Sequence, residues 1–198
     1  MKPKIEHDVE ARVPVDPLVR RFRAAYADPP YLGCGAKLYG ELHAQAAECD
    51  SLDFHRELIE RLSSDFDAWA LSLHSPSLRD LLPLCPDDVR VAAWVKPFCS
   101  YKPGVNPAYA WEPVIFRGGR KRPRGDDKIR DFISEPVRLG KARVPGEKPR
   151  AFCFWIFDLL GLQPDDDLHD LFPGSGAVSE AWEAWKLKDA PEQFCFGV

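Results

Sequence analysis

The sequence has no pair of cysteines at C-x-x-C spacing, no apolar run near the ~20 residues of a membrane span, and no excess of positive charge. Each absence excludes something. Six scattered cysteines (Cys34, Cys49, Cys85, Cys99, Cys153, Cys195) argue against a disulfide scaffold and against a thiolate zinc site. Cys34, His43 and Cys49 match no standard zinc spacing and lack a fourth ligand, so no metal is expected. The polar opening, MKPKIEHDVEARVPVDP, has no apolar centre of the kind a secretory signal needs. The expectation is a soluble cytoplasmic protein with reduced thiols and no membrane contact. A formal net charge of -4 excludes a uniformly cationic coat, so contact with a polyanion has to come from a local patch.

What is present suits a globular enzyme. A chain of 198 residues, 45% apolar and 12% aromatic, can build one domain with a sizeable core. Its 19 prolines fall mostly between apolar runs and punctuate them with loops. Residues 1–18 read as an arm. Strands are expected at 19–27, 66–73, 89–95, 109–116 and 167–172, with a last one at 193–198. Helices are expected at 52–62, 77–84, from 150 onward and at 177–187. Strands alternating with helices imply an α/β fold with a mainly parallel sheet.

Three segments carry chemistry. In Ala27-Asp28-Pro29-Pro30-Tyr31 two prolines end a strand, leaving Asp28 at its C-terminal edge. A carboxylate there, beside a backbone carbonyl fixed by the prolines, can accept both N–H bonds of an aromatic amine, while Tyr31 can stack on a base. In Asp170-Leu171-Phe172-Pro173-Gly174-Ser175-Gly176 a strand feeds a glycine turn that opens a helix, so backbone N–H groups point into the crevice at the sheet edge. The absence of a following Lys-Ser/Thr makes a Walker-type nucleotide loop a poor fit. The run 117–130 (RGGRKRPRGDDKIR) sets seven Lys/Arg against two Asp; Arg117, Arg120, Lys121, Arg122, Arg124 and Lys128 are the candidate phosphate contacts. His74 reads as a polar strand-end residue, and Trp155 and Trp182 as core.

Taken together, these segments resemble a known family. Asp28 to Tyr31 is similar to the (D/N/S)PP(Y/F/W) catalytic motif of amino-methyltransferases, and Asp170 to Gly176 to their D-x-F-x-G-S-G cofactor motif. Glu147-Lys148-Pro149 resembles the lead-in to the latter, in which Lys-Pro opens a helix. Trp94-Val95-Lys96 and Ala110-Trp111-Glu112-Pro113-Val114 resemble the group's strands six and seven. With the catalytic motif first and the cofactor motif last, the order is that of the permuted beta class of bacterial and phage DNA adenine methyltransferases. It is also similar to that of the messenger-RNA adenine methyltransferase family.

The resemblance implies a Rossmann-like class I methyltransferase sheet of seven strands or slightly fewer. It implies one methyltransferase domain over 19–198 with a small target-recognition insertion at about 117–145. The implied activity is S-adenosyl-L-methionine-dependent methylation of adenine N6 in DNA. RNA, cytosine N4 or a catalytically silent nucleic-acid-binding subunit are the alternatives, and a homodimer or partner subunit is left open. Asp28, Pro29, Pro30 and Tyr31 would be catalytic; Lys148, Pro149, Asp170, Phe172, Pro173, Gly174, Ser175 and Gly176 would bind the cofactor. An acid that holds the ribose hydroxyls is missing from its usual place, where only Glu192 or Gln193 stands near.

Overall fold

A computed structural model describes residues 20–36, 46–99, 103–137 and 147–188. The arm at 1–18, His43, the ribose candidates Glu192 and Gln193 and the strand expected at 193–198 lie outside the described residues. The elements run β1 (Arg23–Ala27), α1 (Leu52–Asp65), β2 (Ala68–Ser72), α2 (Leu78–Leu81), β3 (Arg90–Val95), β4 (Trp111–Gly118), β5 (Phe132–Ser134), α3 (Arg150–Leu159), β6 (Asp167–Asp170) and α4 (Ala177–Lys186). Short 3-10 turns at Ala46–Asp50, Ser75–Ser77 and Leu82–Leu84 flank α1 and α2. Among the described residues no helix is long and apolar enough to cross a membrane.

The strands form one sheet in the order β5-β3-β4-β2-β1-β6. β4 pairs antiparallel with both β2 and β3, and the other pairings are parallel, so β4 alone runs against the rest. The ends of β1, β2, β3, β5 and β6 therefore share one edge with the start of β4, and the end of β4 lies at the opposite edge. The three-residue strand β5 was not anticipated. It falls in the irregular stretch after the basic run, and three residues are too few to show an alternating pattern.

Strand alternation divides the core. Ala24 and Tyr26 of β1, Ala68 and Ala70 of β2, and Ala92 and Trp94 of β3 face α3 and α4. Ala25, Ala27, Trp69 and Leu71 face α1. Alanines on the first face leave room for Phe152, Trp155 and Phe157 of α3 and Trp182 and Trp185 of α4, all buried. Small against large is what close packing requires when one layer is this aromatic. Both central strands are covered on both faces, which explains why β2 reads as a continuous apolar run. The first turn of α1 is capped by Ser51, whose side chain accepts the Phe54 N–H at 3.2 Å.

Candidate active site

Asp28 follows β1 directly, and Asp170 ends the neighbouring parallel strand β6, in register with Tyr26. The Leu171 N–H donates to the Tyr26 carbonyl at 3.0 Å, tying the glycine turn to the strand that carries Asp28. The two expected motifs, more than 140 residues apart in sequence, thus lie side by side at one sheet edge.

Lys148 meets the first of them. Pro149 caps α3 in extended conformation, and the chain before it carries the Lys148 side chain under β1. Its ammonium, only 4% exposed, lies 3.0 Å from Asp28 Oδ2. It also donates to the Tyr31 hydroxyl oxygen at 3.2 Å and to Glu112 Oε2 at 3.4 Å. An ammonium has three N–H donors, and here each has an acceptor. The Tyr31 hydroxyl in turn donates to Glu112 Oε2 at 2.8 Å, and Glu112 also pairs closely with Lys96. Two carboxylates and two ammonium groups make a neutral cluster beneath the Asp28 edge, which is how buried charge is tolerated.

The local electrostatics follow from this arrangement. Burial pushes the Asp28 carboxyl above the usual carboxylate range, and the Lys148 ammonium offsets only part of that. Burial works against the charge on Lys148, but Asp28, Tyr26 and Glu112 outweigh it and hold the ammonium above its ordinary value. Burial also opposes ionisation of Glu112, yet Lys148 and Lys96 keep it below its ordinary value. Lys148 occupies Asp28 Oδ2, while Oδ1 is buried without a hydrogen-bond partner among the described residues. An unpaired buried acceptor is costly, so a donor arriving at Oδ1 gains what the free protein forgoes.

The glycine turn has a second orphan of the same kind. Asp170 Oδ1 accepts the Phe172 N–H at 3.3 Å, whereas Oδ2 is buried without a partner among the described residues. Burial raises this carboxyl too. Gly174 and Gly176 have φ of +47° and +82°, backbone that favours glycine. A Cβ on Gly176 would meet nothing within 4 Å, so the constraint there is the positive φ. A cavity of about 400 Å3 lies between β6 and α4, against Leu168, Asp170, Val178 and Trp182. Pro173, Gly174 and Ser175 are exposed and are not among the residues that line it, while Phe172 packs edge-on against Phe54 at 6.4 Å.

The basic run lies elsewhere. Gly118 pairs with Ala68 at the beginning of β2, so Arg117 and the residues after it leave the sheet at its N-terminal edge, opposite Asp28. Arg117 pairs with Asp88 at 2.6 Å. Arg120 grips both oxygens of Asp166, donates to the Gly161 carbonyl, and covers the Phe22 ring at 4.1 Å. Arg122 donates to the Asp158 carbonyl at 3.1 Å. Lys121, Arg124 and Lys128 are exposed. The candidate phosphate contacts therefore start from the N-terminal edge of the sheet, a placement set by the direction of β4, which a linear reading of charge does not contain.

Glu112, Lys96, Trp94 and His74 belong to the site without having been assigned to it. Glu112 carried a signal, since one acid inside the apolar run YAWEPVIF needs a partner once buried. Lys96 and Lys148 stack their ammonium groups over Trp94, 4.7 and 5.5 Å from its ring centre.

No protein-family model and no curated protein matches the chain. Solved structures do. The M1.HpyAVI–SAM complex superposes with a TM-score of 0.55 and 13% identity, covering 84% of this chain and 79% of that one. TTHA0409 from Thermus thermophilus, named for a proposed role as a DNA modification methylase, is similar in its complex with S-adenosyl-L-methionine. Its TM-score is 0.51 at 18% identity, over 84% of this chain and 78% of that one. At such identities the likeness establishes the fold, a Rossmann-like α/β sheet.

Proposed function

We propose that this chain is an S-adenosyl-L-methionine-dependent methyltransferase acting on adenine N6 in DNA, with the motif order of the permuted beta class. The observation that carries the reading is Asp28: a buried carboxylate with one oxygen held by Lys148 and the other unpaired, one strand away from an unpaired Asp170 oxygen and a glycine turn. The DNA modification role proposed for TTHA0409 and the cofactor in both solved complexes support it. The residues present fit that cofactor. The turn at Gly174 to Gly176 and the Asp170 carboxylate would hold it, and it would supply an electrophilic methyl group on sulfur.

The chain's own residues do the rest. Asp28 accepts an N–H of the exocyclic amine and draws its lone pair out of conjugation with the ring, a preorganised electrostatic effect. Tyr31, fixed through its hydroxyl, offers a flat surface to the base, which is flipped from a duplex or taken from a single strand. Aspartate at this position favours adenine, since the cytosine-N4 enzymes that the motif resembles more often carry serine.

Digesting DNA and RNA incubated with the protein and the cofactor, then separating the nucleosides by mass, tests the proposal. N6-methyladenine in the DNA digest is the expected product. N4-methylcytosine overturns the base assignment, and methylated RNA alone overturns the DNA assignment. Cofactor binding without any methylated product points to a silent subunit.

A further inference from the structure

His74 has no place in the reaction outlined above, yet it is built into the same edge. It follows β2 and lies flat on Tyr31, with ring centres 5.3 Å apart and planes 7° from parallel. That separation with parallel planes is an offset stack, the favoured arrangement for two rings. The imidazole is itself held. Ser77, almost fully buried, has its Oγ 2.7 Å from His74 Nδ1, and the Ser77 N–H donates to the His74 carbonyl at 3.0 Å. Pro76 stiffens the turn between them. Burial holds the imidazole below its ordinary value, against the pull of Glu112, so a neutral ring faces Tyr31.

Tyr31 is thereby fixed in two independent ways. Glu112 and Lys148 hold its hydroxyl and set where the ring ends; His74 sets the plane in which the ring lies. A hydrogen bond to a phenol leaves rotation about the ring axis soft, whereas a stacked, anchored imidazole does not. We propose that His74 is a positioning residue, which clamps the Tyr31 ring in the plane that a target base stacks on. This rests on the base-binding reading above. The clamp makes a claim of its own: His74 acts through Tyr31 alone and neither touches the base nor takes a proton.

The test compares His74→Leu, which fills the space without a flat ring, with His74→Phe, which restores one. Thermal unfolding and cofactor affinity should match wild type in both. The first readout is free of catalysis: quenching of 2-aminopurine in single-stranded DNA on titration with protein. His74→Leu should weaken this binding on the order of tenfold, the size of a lost aromatic stack, and His74→Phe should restore it to within about threefold. In a Tyr31→Leu background the His74→Leu change should have no further effect, since the two residues act as one unit.

Equal quenching by wild type and His74→Leu overturns the clamp and leaves the base-binding reading standing. An undiminished His74→Leu effect in the Tyr31→Leu background also overturns it, because His74 would then be acting on the base directly. Absence of quenching by the wild-type protein overturns the base-binding reading, and the clamp with it.

Discussion

At one edge of the sheet, Asp28, Lys148, Glu112 and Lys96 are packed together with Tyr31, and an oxygen of Asp28 is left unpaired. At the other edge Arg117, Arg120 and Arg122 are all paired with Asp88, Asp166 and the Asp158 carbonyl. The second edge was legible in the sequence as a charge cluster, because its charges are nearly consecutive. The first edge draws its charges from four separate segments and shows no local excess. Charge density along a chain measures how strongly a segment is solvated or paired. Unsatisfied charge in the fold measures what is left over for a ligand.

The contrast is broken most severely at Asp28. Asp28→Ala should lower the methyl-transfer rate on the order of 100-fold or more, the cost of removing one preorganised polar group from a reaction centre. Cofactor affinity, measured by calorimetry, should stay within a few-fold, and near wild-type turnover would remove Asp28 from the mechanism. Gly176→Val should act in the opposite sense, weakening the cofactor on the order of tenfold. A β-branched side chain strains backbone at φ of +82° and so distorts the turn proposed to hold the cofactor.

Lys148→Met has a smaller effect at neutral pH and a diagnostic one in acid. In the proposed reaction Asp28 works as an ionised acceptor, so activity should be lost as pH falls through its raised value. Lys148 is the main influence pulling that value down. Removing it should therefore move the acid limb of kcat to higher pH. An acid limb that stays in place would separate Lys148 from the ionisation of Asp28.

The end of β1, the Lys-Pro start of α3 and the glycine turn before α4 were legible because each depends on local chemistry: two prolines, one proline, two glycines at positive φ. The juxtaposition of Asp28 with Asp170 was legible only through the motif resemblance. The partnership of Lys148 with Asp28 was not, because it depends on where α3 crosses beneath β1. Lys148 was expected with the cofactor and has Asp28, Tyr31 and Glu112 as its partners within the chain. His74 read as an inert strand end for the same reason: nothing near it in sequence announces Tyr31.

At the opposite edge the expected effect is on stability. Arg120→Ala removes two hydrogen bonds to a nearly buried Asp166 and the cover over Phe22, so unfolding should become easier by about 1–2 kcal/mol. For a chain of this size that is a fall of about 2–8 °C in Tm. Methyl transfer per folded molecule should be unchanged. A stable Arg120→Ala protein with weakened nucleic-acid binding would show that the guanidinium serves the ligand and not the fold.

The smallest effect is expected at the exposed part of the basic run. Replacing exposed Lys121 and Arg124 together with Arg122 by alanine leaves the Asp166 pairing and the Asp28 cluster untouched. If these three side chains contact phosphates in the complex, each loss lowers the log–log salt slope of binding by about one unit, slightly less on a single strand. Their position at the N-terminal edge, a full strand length from Asp28, gives a different expectation: a change of less than about one unit for all three. Both outcomes are read from the same titration at several salt concentrations. A drop of about three units would require nucleic acid to wrap from the Asp28 edge around the end of β4. An unaltered slope would place phosphate binding outside Lys121, Arg122 and Arg124.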